Sequence, residues 1–204
     1  MALAEHASVG SFSRFSLQLL SVGAPPEMLV LSHKAALDEI KHAKMCFAIA
    51  SVYAGTHLSP GPLPLDGNIL GDLDLPTIVH ATIVEGCIGE TISAMELSHA
   101  ISLCKVPTLQ KTLTTILEEE SRHAQLAWGF VRWALKQSDT IKPIVKDAFH
   151  PILEPKTLVQ PQRQPNDSCL EEHGQLGDHQ RWISNKEAHE SVILPAAKAL
   201  LNIE

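Results

Sequence analysis

The sequence has few aromatic residues and no excess of positive charge. Aromatic side chains make up 4% of the 204 residues, whereas apolar residues make up 45%. A β-sandwich needs more tyrosine, tryptophan, valine and threonine, and the abundance of leucine and alanine favours helices instead. The net charge of −7 provides no basic surface for nucleic acid. We therefore expect an all-α protein that does not bind nucleic acid.

Long hydrophobic runs and paired cysteines are also missing. No window approaches the roughly 18 uncharged apolar residues that a membrane span needs. The first residues, MALAEHASVG, lack a basic segment followed by an apolar core, so we expect no signal peptide. The four cysteines form no C-x-x-C pair, which favours reduced thiols. These absences predict a cytoplasmic protein that does not associate with membranes.

Glycine and proline divide the first two thirds of the chain into four predicted helices, over about residues 3–22, 27–54, 76–104 and 107–137. Gly23 and Gly55 end the first two helices, and Asp74 with Pro76 begins the third. The connections after the first and third helices are short, whereas a long segment rich in proline and glycine separates the second from the third. Two short connections flanking a long one are typical of a four-helix bundle with a crossover loop.

The remaining third of the chain is less regular. Its predicted elements are a short helix, a polar loop and an amphipathic helix, over residues 140–153, 155–178 and 185–202. Pro195 is expected to break or kink the last helix. We predict that residues 1–137 form the bundle and that residues 138–204 form an extension that packs on it, without being a separate domain.

Two copies of one short motif lie on the second and fourth predicted helices. Residues 38–43 are Asp-Glu-Ile-Lys-His-Ala, and residues 119–124 are Glu-Glu-Ser-Arg-His-Ala. A lone glutamate precedes each copy at nearly the same distance, because Glu5 lies 34 residues before Glu39 and Glu85 lies 35 residues before Glu120. The chain is therefore two similar helical hairpins, each with a glutamate followed by Glu-x-x-His.

This spacing predicts a pair of metal ions. Residues three apart share a helix face, so each Glu-x-x-His can grip one ion, and the lone glutamate comes level with it on the neighbouring helix. The surrounding positions are apolar, and buried carboxylates need a cation. Carboxylate and imidazole without thiolate suit iron or manganese better than structural zinc. We predict two iron ions, with Mn/Fe or Mn/Mn as alternatives, and the predicted ligands are Glu5, Glu39, His42, Glu85, Glu120 and His123.

The motifs in residues 1–137 resemble those of the ferritin-like di-iron carboxylate superfamily, which includes bacterioferritins, rubrerythrins, and di-iron oxidases and oxygenases. The resemblance implies a ferritin-like four-helix bundle and the same six ligands. It also implies that the acid before each motif accepts a hydrogen bond from the histidine of the opposite motif, pairing Asp38 with His123 and Glu119 with His42. Solvated surface charges are the alternative interpretation of these two acids.

Four further residues are weaker candidates for the site. Cys46 lies four residues after His42 on the same face, so it is a candidate for lining a cavity beside the metals, with a small core residue as the alternative. Glu96 and His99 form a third Glu-x-x-His that lacks the flanking acid and base, and we interpret it as a chance match. Glu90 would be an extra ligand only in a distorted helix, so we expect it on the surface.

Three functions are compatible with these patterns. The first is a di-iron oxidase or oxygenase that activates O₂ to oxidise a small organic molecule, with electrons from a separate donor. The second is a ferritin-like ferroxidase or iron-binding protein, and the third is a non-catalytic helical interaction bundle. The low charge content, the crossover loop and the extension favour the enzyme, because loops on a rigid scaffold can build a substrate pocket. A monomer or homodimer fits the enzyme, whereas a large hollow shell fits storage.

Overall fold

The computed structural model describes residues 1–65, 69–153 and 159–202. Every regular element in these ranges is helical, which confirms the all-α prediction. The chain divides into two compact units, Met1–Ile78 and Val79–Glu204. The four-helix bundle over residues 1–137 stays a prediction. Within the described ranges, no helix is long and apolar enough to cross a membrane.

The first unit contains a helical hairpin, in which α1 spans Ala2–Ser21 and α2 spans Pro26–Ala54. Gly23 and Gly55 both have φ of 64°, the left-handed conformation that a glycine adopts readily where a helix ends. Pro26 occupies the first turn of α2, where its missing N–H needs no partner. Both helices begin and end within one residue of the predicted bounds.

Two buried serines connect α1 and α2. The Oγ atoms of Ser16 and Ser32 lie 2.9 Å apart, and they lie 3.0 and 3.2 Å from the Phe12 carbonyl oxygen. A buried hydroxyl that loses its partners costs about 1–3 kcal/mol, so sliding of one helix along the other is disfavoured. Facing residues in this antiparallel register have numbers that sum to about 48, as Ser16 and Ser32 do. Glu5 therefore comes level with Ala43 of α2.

Residues 56–65, which we call the strap, leave the end of α2 and pass along the hairpin. The Leu58 amide donates to Ser51 Oγ at 2.9 Å, and the same hydroxyl donates to the Phe47 carbonyl at 2.7 Å. A Cβ added to Gly10 of α1 would lie 3.1 Å from Leu63 Cδ2, so Leu63 packs directly on the α1 backbone. The strap is therefore attached to both helices. Residues 66–68 of the predicted crossover lie outside the described residues.

A long helix with a widened middle leads into the second unit. α3 (Leu75–Ala81), the π-helical segment π1 (Thr82–Glu90) and α4 (Thr91–Leu103) follow one another without interruption. Asp74 caps the start, since its Oδ1 accepts from the Thr77 amide at 3.0 Å and its Oδ2 accepts from the Thr77 hydroxyl at 2.8 Å. This confirms the predicted beginning. The sequence pattern does not predict π1. Such segments are rare in proteins, and those that occur are often found at functional sites.

α5 (Pro107–Ala134) packs closely on π1. A Cβ added to Gly86 would lie 2.5 Å from Ala127 Cβ, so only a glycine allows this approach of the two backbones. Trp128 Nε1 donates to Thr91 Oγ1 at 3.3 Å at the junction of π1 and α4. α4 and α5 end and begin within a few residues of the predicted bounds, with α5 ending at Ala134 instead of residue 137.

The C-terminal part of the second unit packs on this pair of helices. Phe149 stacks on Trp128 with ring centroids 5.4 Å apart, and Lys105 Nζ lies 2.6 Å from Glu172 Oε1. The helices concerned are α6 (Ile141–Leu153), α7 (Asp167–Glu172), α8 (Asp178–Ala188), π2 (His189–Ile193) and α9 (Leu194–Leu201).

Two predictions for this part are corrected. Residues 167–172 of the predicted loop form α7, stabilised by Asp167, whose Oδ2 accepts from the Gln164 amide at 2.8 Å. The last helix begins at Asp178, not residue 185, and Pro195 does not break it. The π-helical turn directly before Pro195 gives room for the proline ring, which would clash with a carbonyl in a regular helix. Residues 154–158 of the predicted loop lie outside the described residues.

Candidate metal centre

Glu5 of α1 and Glu39 and His42 of α2 form a buried group in the first unit, which we call the first donor group. His42 is 0% exposed, Glu39 is 1% exposed and Glu5 is 9% exposed. The Nδ1 atom of His42 lies 3.6 Å from Oε2 of Glu5 and 3.6 Å from Oε2 of Glu39. Donor atoms of the three residues lie within 4.8 Å of one another. One cation with metal–ligand bonds of about 2.0–2.2 Å could therefore contact all three.

Local geometry explains why these three residues meet. Glu39 and His42 are three residues apart and so lie on one face of α2. The serine pair between the helices brings Glu5 level with Ala43, directly beside His42. The short turn after α1 makes the hairpin antiparallel, so this register follows from the sequence.

Glu90, Glu120 and His123 form a second donor group within the second unit. Donor atoms of these residues also lie within 4.8 Å of one another. The Nδ1 atom of His123 lies 3.3 Å from Oε2 of Glu120, and both residues are 3% exposed. Glu90 is half-buried at the end of π1. Each unit thus carries two carboxylates and one imidazole that could hold one ion.

The second donor group differs from the predicted one in its first carboxylate. The sequence predicted Glu85 as a ligand and Glu90 on the surface, whereas Glu85 is exposed and Glu90 belongs to the group. In an α-helix, residues five apart point about 140° apart around the axis. The wider turn of π1 changes that angle, so Glu90 lies in the distorted helix that the sequence prediction required for it to join the group. Glu85 as a ligand stays a prediction.

A signal for this distortion is present in the sequence. Gly86 and Gly89 lie between the two glutamates, and glycines weaken a regular helix while allowing close backbone contact. Gly86 makes such a contact with Ala127. When two glycines follow a lone predicted ligand, a second acidic residue nearby is therefore also a candidate metal ligand.

The two acids that precede the motifs have different environments. Glu119 is 9% exposed, and its Oε1 lies 3.6 Å from an Arg122 nitrogen, whereas Asp38 is half-buried. Burial of Glu119 does not fit a fully solvated surface charge. The hydrogen bonds predicted between Asp38 and His123 and between Glu119 and His42 stay predictions.

Cys46 is a buried residue beside the first donor group. Burial, with a smaller contribution from the charge of Glu5, raises the pKa of its thiol to about 12. A thiol with this pKa is neutral at physiological pH and packs as a small apolar side chain. This fits the interpretation of Cys46 as a small core residue, and its lining of a cavity beside the metals stays a prediction.

The third Glu-x-x-His contacts a different element. His99 Nε2 lies 2.8 Å from Oε2 of Glu187, a residue of α8. Glu96 Oε1 lies 3.0 Å from the side-chain amide nitrogen of Asn185, which is also on α8. Burial raises the pKa of Glu96, partly opposed by the charge of Arg181. Both residues thus contribute to packing of α8 on α4, in agreement with the interpretation as a chance match.

Comparison of the chain with models of known protein families, with curated proteins and with solved structures found no match. The resemblance to the ferritin-like superfamily therefore depends on the repeated motifs and on the chemistry of the two donor groups. That chemistry fits iron or manganese, because the donors are carboxylate oxygens and imidazole nitrogens without a thiolate. The orientation of both histidines fits as well, since each directs Nδ1 toward a carboxylate oxygen.

Proposed function

We propose that the protein is a non-haem di-iron oxidase or oxygenase that uses O₂ to oxidise a small organic molecule. One observation carries the proposal: each unit contains a set of two carboxylates and an imidazole, buried except for the half-buried Glu90, and built from a glutamate on one helix and Glu-x-x-His on the next. We infer that the two donor groups are the halves of one dinuclear centre of the ferritin-like type. The support for joining them is the internal repeat of the sequence.

Each half of the centre would hold one metal ion. Glu5, Glu39 and His42 would hold one ion, and Glu90, Glu120 and His123 would hold the other, with Glu85 as a further carboxylate on π1. Bound iron supplies the redox chemistry that O₂ activation requires. The carboxylates supply the negative charge that stabilises the oxidised form of the centre.

Most side chains of the donor groups are buried, which limits their contact with water. Glu39 and His42 lie among buried small residues of α2, including Ala35 and Ala43, and Glu120 and His123 lie near Ile116, Ala124 and Ala127 of α5. A dry site strengthens the electrostatic interactions of the carboxylates and protects a strong oxidant from side reactions. These side chains offer no acid or base of their own, so proton transfer falls to the ligand carboxylates.

The metal content of paired variants tests the site. Glu39→Ala/His42→Ala removes two ligands of the first donor group, and Glu96→Ala/His99→Ala is the matched control with the same residue types and spacing. We expect elemental analysis to find about two metal ions per chain in the wild type and in the control. We expect one or fewer in the first variant, because the ligands of a dinuclear centre are shared. Two ions in the first variant would overturn the ligand set.

The reaction with O₂ separates the enzyme from the ferroxidase. Metal-free protein receives two equivalents of ferrous iron under argon and is then exposed to air. We expect rapid O₂ uptake, a bound oxidised centre that decays slowly, and no soluble iron core when more iron is added. Accumulation of hundreds of iron atoms per assembly would contradict the oxygenase function and support iron storage of the ferritin type. No O₂ uptake would contradict both functions.

A further inference from the structure

A groove of about 690 Å³ lies within the first unit, between α1, α2 and the strap. Pockets of a few hundred to a thousand Å³ commonly enclose small organic ligands. The groove is not formed by the donor groups of the candidate metal centre. On α2, Ile40, Lys44 and Phe47 line it, and they point about 110–170° around the helix axis from the mean direction of Glu39 and His42.

The groove surface is largely apolar. Val9 of α1, Ile40 and Phe47 of α2, and Leu58 and Pro60 of the strap contribute to it. Ile40 is 39% exposed and Leu58 is 38% exposed, so apolar area that most proteins would bury is open here. An apolar ligand part of matching size would cover this area, at about 25 cal/mol for each Å² removed from water.

The charged and titratable residues that the structure describes in the groove are all basic. Its charged or titratable lining residues are His6, Lys44 and His57, and none of the described lining residues is acidic. This contrasts with the chain as a whole, which carries a net charge of −7. A basic group beside an apolar surface is complementary to a ligand with an apolar body and an anionic end.

The wall of the groove is held in place before any ligand binds. Ser51 lines the groove and connects the strap to α2, because its hydroxyl accepts from the Leu58 amide and donates to the Phe47 carbonyl. Leu63 packs on the α1 backbone at Gly10 and fixes the other end of the strap. A wall fixed in this way lowers the conformational entropy that the protein must lose when a ligand binds.

We propose that this groove binds a small apolar carboxylate, such as an acyl or aryl acid. The hydrocarbon part lies on Ile40, Phe47 and Leu58, and the carboxylate lies at Lys44, with His6 and His57 as further donors. The complementary charge and the volume carry the proposal. It does not depend on a metal ion, so it stands apart from the proposed oxidase function.

Binding of a dansylated undecanoate, followed by its fluorescence and by displacement with decanoate, tests the proposal. We expect saturable binding of one probe per chain. Lys44→Gln removes the ammonium group and should weaken binding at least about tenfold, since hydrogen bonds to charged groups are strong. Lys34→Gln is the matched control, because Lys34 is an exposed lysine on the same helix ten residues earlier. We expect the control to bind like the wild type.

Uncharged and cationic competitors test the charge requirement. Decanol and decyltrimethylammonium have the same chain as decanoate, and we expect both to displace the probe at least about tenfold less well. Equal displacement by all three, equal effects of the two lysine variants, or the lack of saturable binding would each overturn the proposal.

Two further measurements locate the site independently of Lys44. Ala48→Trp places a large side chain in the groove at an exposed position and should abolish binding while melting remains normal. In the wild type, decanoate should shift the imidazole resonances of His6 and His57, and unchanged resonances would contradict the location. Binding measured in Glu39→Ala/His42→Ala separates the two proposals, because that variant tests the metal site while its groove is intact.

Discussion

His42 and His123 present the same ring atom to their neighbours. The Nδ1 atom of each lies 3.3–3.6 Å from carboxylate oxygens of its donor group. When a cation is bound at Nδ1, the proton of the neutral ring is on Nε2. In both donor groups, the ring atom that faces the carboxylates is therefore one that could bind a cation.

Substitution of Glu85 or Glu90 tests which glutamate of π1 belongs to the second donor group. Because Glu90 belongs to the second donor group and Glu85 is exposed, we expect Glu90→Gln to weaken binding of one metal ion by at least about tenfold. Glu85→Gln is the comparison variant, and because Glu85 is exposed we expect it to weaken binding less than Glu90→Gln does. Titration of metal-free protein with ferrous iron or manganese measures both. A larger effect of Glu85→Gln would restore the sequence prediction and overturn the assignment of Glu90.

The sequence identified most of the donor residues, because their spacing follows simple rules. Glu39 with His42 and Glu120 with His123 obey the three-residue helical spacing, and Glu5 follows from the length of an antiparallel hairpin. Glu90 was missed because its position depends on the extra width of π1. The same segment packs closely on α5 at Gly86 and Ala127, residues that are 41 positions apart in the chain.

Two glycine substitutions, one in π1 and one in α5, test the close contact between these two elements. Gly86→Ala should lower the free energy of unfolding by about 1–3 kcal/mol, because the new Cβ would lie 2.5 Å from Ala127 Cβ and the core cannot accept it without movement. Gly129→Ala in α5 is the control. A Cβ there has no neighbour within 4 Å, so this change should raise stability by up to about 1 kcal/mol. Urea denaturation measures both, and equal destabilisation would contradict the close contact.

The Asp74 cap predicts how stability at the start of α3 changes with pH. Hydrogen bonds from Thr77 hold the pKa of Asp74 below its usual value of 3.8. A carboxyl whose pKa is lowered by folding stabilises the protein above the unfolded pKa, and this contribution is lost as pH falls through the folded pKa. Asp74→Ala should therefore lower the free energy of unfolding by about 1 kcal/mol at pH 7 and by less in strong acid.

Urea denaturation at neutral and acidic pH measures this difference. Asp74→Asn is the matched control, because it keeps an acceptor for the Thr77 amide and should lose only part of the stability. Equal losses for Asp74→Ala at both pH values would show that the carboxylate charge contributes nothing to the cap.

The long helices could be predicted because local signals define their ends. Gly23, Gly55, Asp74 and Pro107 each act within a few residues of the position where a helix begins or ends. The two π-helical segments could not be predicted in this way. π1 depends on the packing of α5 against it, and π2 accommodates Pro195, which taken alone indicates a break.

At the scale of the whole molecule, the donor groups affect stability as well as chemistry. Glu5, Glu39 and Glu120 are each at most 9% exposed, and burial of carboxylates without a cation is unfavourable. A metal ion that binds the folded chain stabilises it in proportion to the logarithm of its concentration over the dissociation constant. We expect metal-free protein at pH 7 to melt at a lower temperature than metal-loaded protein. Identical melting curves in calorimetry would indicate that these acids do not bind the metal.

The serine pair between α1 and α2 has a consequence for how the first donor group would fill. Ser16 and Ser32 hold the register of the hairpin, so Glu5, Glu39 and His42 already lie together in the folded chain. A cation bound there would exchange its water ligands for side-chain atoms without further ordering of the backbone. The free-energy cost of filling this group would therefore come mainly from dehydration of the ion and of the carboxylates.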